Sequence, residues 1–169
     1  MPVFQISQIA AVVFVAIAMA LSLAHALELP GKLRLSKEQY LAVQQIYYPG
    51  FTFGGGAEPL AIIALLVLTF TTSAFGPFWL TAGALVALVA AHAVYWIMTH
   101  PVNKFWLQDL ELKGAGQTFF GHDPLRRRSA ADSAQPDWQV LRDRWENSHV
   151  IRAVLSGLSF VLLVTAVAL

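Results

Sequence analysis

Four long apolar runs, separated by two polar connections and one very short turn, organise this chain. They lie at residues 6–27, 59–75, 78–98 and 150–169. Each approaches or exceeds the roughly 20 apolar residues a helix needs to cross hydrocarbon. The pattern predicts an all-α fold, a polytopic up-down bundle of four transmembrane helices forming a single domain over residues 1–169. The second run is short, and the "SAFGP" that follows leaves room only for a tight hairpin. In the connection 28–58, Pro30-Gly31 is expected to end the first helix. The following "SKEQYLAVQQIYY" places Ser36 and Gln39 at capping-box spacing, and Tyr40, Val43 and Tyr47 recur at helical spacing. This predicts a short amphipathic helix over residues 36–48, lying at the membrane interface. "YYPGFTFGGGAEP" reads as a flexible linker, and it lacks the Lys-Ser/Thr of a phosphate loop. The third run carries His92, Trp96 and His100 at i, i+4 and i+8, on one helical face, before Pro101 restricts the chain. The connection 99–148 has no sustained period beyond a short helix around 104–112. Pro136 then suits the first position of the last helix, with Asp137 near its N-terminal dipole.

Composition places this bundle in lipid. The chain is 57% hydrophobic and 12% charged, against about 25% charged in soluble domains. With no cysteine, disulfides, thiolate ligands and cysteine nucleophiles are excluded. Ala24-His25-Ala26 fits a small-x-small cleavage pattern, but no Lys or Arg precedes the first apolar run, so residues 1–27 are expected to be a true first helix. All 11 Lys and Arg residues lie in the two long connections or one turn beyond, at Arg152. The positive-inside rule then makes both connections cytoplasmic and both termini periplasmic, in a multi-pass inner-membrane protein. The basic "PLRRRSA" is expected to set topology or touch lipid headgroups, and a net charge of +1 gives no reason to expect nucleic acid.

The polar residues on the helices carry the candidate chemistry. His25 and Glu28 are spaced i, i+3, and so are Glu146 and His149; Glu58 opens the second span, and His92 lies in the third. Residues three apart share a helix face, so each pair can offer one oxygen and one imidazole nitrogen to a common point. Bundles with Glu-x-x-His pairs and further carboxylates build carboxylate-bridged metal centres this way. His92 sits roughly 9–12 Å inside the membrane at ~1.5 Å per residue, where an ionisable group is costly and a functional candidate by default. Duller roles compete. Glu146 can pair with Arg142 at i, i+4, Arg152 can snorkel, His100 can meet a helix C-terminus, His122 can be solvated, and the tryptophans can form an interfacial belt.

"HPVNKFW" and "WQVLRDRWENSHVIRAVLSGLSF" carry a more specific signal. Through Pro101, Asn103, Trp145, His149 and Arg152 the chain resembles the anthrone-oxygenase-like family of small four-helix membrane proteins. The resemblance implies, for some members, an oxygenase-like activity on polycyclic phenolic substrates. The resulting expectation is a membrane oxidoreductase acting with dioxygen on a lipophilic or aromatic substrate, its metal centre near the cytoplasmic end of the bundle. His25, Glu28, His92 and His149 are the expected metal ligands. Glu146, Arg152 and Asn103 are the expected catalytic groups, Glu146 serving as a further carboxylate ligand or proton carrier. Trp96 and Trp145 are expected beside the cofactor. Imidazoles suit iron, copper or zinc, and carboxylates favour iron or manganese; Arg152, always charged, suits a phenolate or quinone oxygen. Two alternatives stay open: a haem-binding or quinone-reactive protein with two axial histidines, and a non-enzymatic scaffold or transporter subunit. The expected partners are the bilayer, a lipophilic small molecule and further copies of the chain as a homo-oligomer.

Overall fold

The structure, a computed structural model, describes residues 3–106 and 137–169. His122, the "PLRRRSA" run, Pro136 and the part of the expected 104–112 helix beyond Trp106 lie outside the described residues. Within them the chain is helical: α1 Val3–Lys32, α2 Lys37–Gln44, α3 Gly50–Gly55, α4 Ala57–Thr71, α5 Phe75–Val94, α6 His100–Trp106 and α7 Trp138–Ala168. Four helical segments are long and apolar enough to cross a membrane, Val3–Lys32, Gly50–Thr71, Phe75–Asn103 and Trp138–Ala168. They form a closed ring in which α1 packs on α4, α4 on α5, α5 on α7, and α7 back on α1. Their outer faces, with Ile9, Val13, Ile63, Val67, Val86, Val154 and Val161, are exposed and apolar, as lipid contact requires.

The inner stripe of each helix repeats at three- and four-residue spacing. On α1 it is Ala11, Val15, Ala18, Ser22, His25 and Lys32; on α7 it runs from Leu141 through Trp145, His149, Arg152, Ser156 and Ser159 to Leu163. Small side chains bring the backbones close at one end, where Ala11, Ala18, Ala61 and Ala84 pack with Val15, Leu65, Leu68, Leu88 and Leu163. There Ser159 Oγ donates to the Ala84 carbonyl at 2.8 Å, tying α7 to α5. Small residues and interhelical hydroxyl bonds replace a hydrophobic driving force between helices in lipid. The opposite end is aromatic: Tyr40, Tyr47, Trp106 and Trp145 are buried with Val102 and Leu141. All four spans carry their histidine or charged inner residues towards this end, and the cavity lies there.

Three local expectations are corrected. Pro30 does not end α1, which continues to Lys32; Leu33 N–H still reaches the Leu29 carbonyl at 3.0 Å, so the turn closes around the proline. The glycine-rich linker is not an open loop: Gly50–Gly55 is a short helix leading into α4. Pro101 does not close the third span: it falls in the first turn of α6, and the Ile97 carbonyl that its missing N–H leaves open is satisfied by Arg144 at 2.7 Å. A π turn over Tyr95–Thr99 joins α5 to α6. Its extra residue rotates His100 off the face shared by His92 and Trp96. The last helix, over Trp138–Ala168, has Asp137 as its N-cap, the carboxylate accepting from Gln139 N–H at 3.0 Å.

The capping box before α2 is present, with Ser36 Oγ accepting from Gln39 N–H and the Gln39 side chain accepting from Ser36 N–H at 3.0 Å. Docked by Tyr40, which is wholly buried, α2 folds back over the aromatic end of the bundle.

Candidate functional site

A cavity of about 520 Å³ opens between the four spans beneath α2 and α3. Its walls come from every part of the fold: Ser22 and His25 on α1, Tyr47 and Phe51 on the α2–α3 segment, Glu58 on α4, His92 on α5, Trp96 on the π turn, Asn103 on α6, and Trp145, His149 and Arg152 on α7. Volumes of roughly 300–1,000 Å³, mostly apolar with a few convergent polar groups, are typical of small-molecule sites.

One wall is a continuous hydrogen-bonded chain across three spans. An Arg152 N–H donates to Glu58 Oε2 at 2.5 Å, and Glu58 Oε1 lies 2.9 Å from His92 Nδ1. Trp96 Nε1 donates to His92 Nε2 at 2.9 Å. An indole nitrogen can only donate, so His92 Nε2 accepts and Nδ1 carries the ring proton to the Glu58 carboxylate. The chain therefore sets both tautomer and orientation. Glu58 is buried, and Arg152, stacked 5.1 Å over the Tyr95 ring, supplies its counter-charge. The π turn carries Trp96, which faces His92, and the Ile97 carbonyl, which the missing N–H of Pro101 leaves open four residues on, accepts from Arg144 at 2.7 Å.

The facing wall holds His25 and His149, their ring centres 4.2 Å apart, boxed by Tyr47, Phe51 and Trp145. Both ring nitrogens of His149 are buried without a partner among the described residues. His25 Nδ1 is 3.2 Å from the Lys32 ammonium, which has only protons to offer, so that nitrogen is an acceptor. Trp145 is held by its own donation to Asn103 Oδ1 at 2.8 Å.

Behind this wall lies a network the sequence reading did not anticipate. Lys32, buried, reaches Glu28 at 3.0 Å and Glu146 at 3.5 Å and lies over the Tyr47 and Trp145 rings. Tyr40 donates to Glu146 at 2.9 Å, and Tyr47 donates to Glu28 at 2.5 Å. Burial, with Glu146 beside it, holds the Tyr40 phenol well above the ordinary tyrosine range. Burial and the Glu28 hydrogen bond do the same for Tyr47. Both are fixed donors, and they latch the α2 segment to α1 and α7. The signal for Lys32 was present in its position, seven residues after His25 and four after Glu28, on one face of α1.

Of the expected site residues, His25, His92, His149, Arg152, Asn103, Trp96 and Trp145 line one cavity. Glu28 and Glu146 do not. Glu28 sits half-exposed at the rim, and Glu146 is drawn under α2 by Tyr40 and Lys32. Glu146 does not pair with Arg142, which binds Asp143 at 2.8 Å. His100 is buried but lines no part of the cavity, its ring 4.8 Å from that of Trp96.

These positions bear directly on the expected metal centre. His92 has both nitrogens engaged, His25 has one nitrogen beside an ammonium, and both expected carboxylates serve Lys32 and tyrosines. No group of three or more His, Asp or Glu side chains among the described residues is arranged to hold a metal ion. Nor do His25 and His149 span a haem as placed. Metal–nitrogen bonds of roughly 2 Å on either side of an iron would hold two axial rings about 6 Å apart, and theirs are 4.2 Å apart.

Against known proteins, the family model for anthrone oxygenase matches residues 44–162. That stretch contains the whole Arg152–Glu58–His92–Trp96 chain, while His25 and Lys32 precede it. No curated protein and no solved structure matches the chain.

Proposed function

The chain belongs to the anthrone oxygenase family, and from that premise we propose that it is a membrane-embedded oxygenase for planar phenolic ketones of the anthrone kind, acting through base catalysis within the bundle cavity. The observation that carries this reading is the Arg152–Glu58–His92 chain on the cavity wall. A carboxylate that fixes the Nδ1–H tautomer of an imidazole turns Nε2 into a directed proton acceptor. In the resting arrangement that acceptor is held by the Trp96 N–H, which an acidic substrate group replaces.

The methylene of an anthrone is acidic because losing its proton makes the central ring aromatic. His92 Nε2 removes that proton, and Glu58 stabilises the resulting imidazolium. The positive charge of Arg152 favours the developing enolate oxygen. The enolate reduces dioxygen, and carbon–oxygen bond formation gives a peroxide anion that takes up one proton to become the hydroperoxide. Loss of the remaining methylene hydrogen with cleavage of the oxygen–oxygen bond leaves a carbonyl and releases water. One oxygen atom enters the product, the other leaves as water, and the methylene carbon is oxidised to the ketone level. The aromatic cage of Tyr47, Phe51 and Trp145 offers a planar ring system stacking surfaces and keeps the reactive carbanion away from bulk water. No step is routed through a metal, because the donor set described above does not converge on one.

The test is quinone formation and oxygen uptake by the purified protein in nanodiscs, given a hydroxylated anthrone. His92→Ala and Glu58→Gln should each lower the rate by about 10²- to 10⁴-fold, the usual contribution of a positioned base. Labelled dioxygen should place one atom in the new carbonyl. Full activity in His92→Ala, or a stoichiometric co-purifying metal whose removal abolishes turnover, would overturn the mechanism.

A further inference from the structure

Two side chains lining the cavity outside the Arg152–Glu58–His92 chain carry unpartnered donors. Gln44 on α2 and Trp106 on α6 both line it, at 4% and 7% exposure. Gln44 Nε2 and Trp106 Nε1 are buried and meet no acceptor among the described residues. A sealed donor without a partner costs roughly 1–3 kcal/mol, so two beside one cavity mark a position where an acceptor belongs. Their placement is built. Tyr40, one turn before Gln44, packs edge-on against the Trp106 ring at 5.3 Å and is itself anchored to Glu146. An indole N–H admits no alternative role, since it can only donate.

We propose that Gln44 and Trp106 form a recognition subsite for a carbonyl oxygen carried on the substrate ring system at a distance from the reacting carbon. This deepens the oxygenase reading and rests on it. The Glu146 carboxylate beneath Tyr40 disfavours a second anion, so the subsite takes a neutral ketone, aldehyde or amide oxygen and discriminates against a carboxylate. Gln44 and Trp106 are specificity residues, and neither belongs to the Arg152–Glu58–His92–Trp96 hydrogen-bonded chain.

Two neutral probes of matched shape test it: 2-acetylanthraquinone, which carries the extra carbonyl, and 2-ethylanthraquinone, which does not. Binding to the protein in nanodiscs is read by quenching of tryptophan fluorescence. Wild type should prefer the acetyl probe about three- to ten-fold, the range of a net neutral hydrogen bond. Trp106→Phe keeps the ring and removes the N–H, so it should abolish most of that preference with the ethyl probe's affinity unchanged. Gln44→Leu should do likewise, and gives an independent reading if one variant packs poorly. An acetyl preference that survives in both variants, or is absent from wild type while both probes bind, overturns the subsite but leaves the oxygenase reading standing. Binding of neither probe to wild type overturns both.

Discussion

Replacing Arg152 by methionine tests whether the wall of the cavity is an electrostatic unit. The guanidinium is the only cation bonded to Glu58 among the described residues, at 2.5 Å, and both side chains are largely shielded, at 11% and 5% exposure. Without it, a buried carboxylate is left with the His92 N–H alone. Breaking a buried pair by removing one partner costs about 3–5 kcal/mol, whereas removing both charges together is often close to neutral. Glu58→Gln should therefore be costly by itself, since it strands a guanidinium whose Nε has no partner among the described residues. The double variant Glu58→Gln/Arg152→Met should recover most of the loss. With single costs of about 3–5 kcal/mol and a double variant close to neutral, the coupling energy should be about 5 kcal/mol or more, above the ~0.5–3 kcal/mol usual for directly interacting residues. Reversible unfolding in mixed micelles, followed by tryptophan fluorescence, supplies the four free energies of the cycle. Trp96, Trp106 and Trp145 all border the cavity and report on it. Activity should not follow stability, because the double variant lacks the carboxylate that orients His92. Additive costs below about 1 kcal/mol each would refute the reasoning, since that is how a solvated surface pair behaves.

Other outcomes follow from the same geometry. Tyr40→Phe leaves the buried Glu146 without its hydroxyl donor and should cost about 1–3 kcal/mol, visible in the same unfolding assay. Ser159→Ala removes the α7–α5 bond to the Ala84 carbonyl and should cost only ~0.6 kcal/mol, the average for interhelical bonds in membranes. Burial raises the Tyr40 and Tyr47 phenols, so their stabilising contribution is complete below the ordinary tyrosine value of about 10 and is lost as pH rises beyond it. Stability should accordingly fall in that alkaline window, and tyrosinate absorbance from these two should emerge with unfolding. For topology, cysteine at Leu169 should react with an impermeant thiol reagent on intact cells and cysteine at Lys37 should not; the reverse pattern overturns the expected orientation.

Much of the architecture was legible in the chain because lipid makes severe demands. Four apolar runs, a helical requirement for every spanning segment and two long connections leave few arrangements besides an up-down ring. The capping box at Ser36 and Gln39 was readable because its bonds span three residues. The polar stripe on α7 was readable because helical periodicity alone puts Trp145, His149 and Arg152 on one face. Equally local was the spacing of Glu146 from His149, yet it misled: both share a face, but Tyr40 and Lys32, far away in the chain, pull the carboxylate out of the cavity. His100 was misplaced for a related reason, since a single π turn shifts the register of everything beyond it. Which acid meets which histidine was decided by the ring of helices alone. Glu58 and His92 are 34 positions apart, and Glu58 and Arg152 are 94 apart. Spacing along one helix fixes direction to within a face, but the partner of a buried charge is chosen by packing, because inside the bundle only the nearest counter-charge and donors can offset its desolvation.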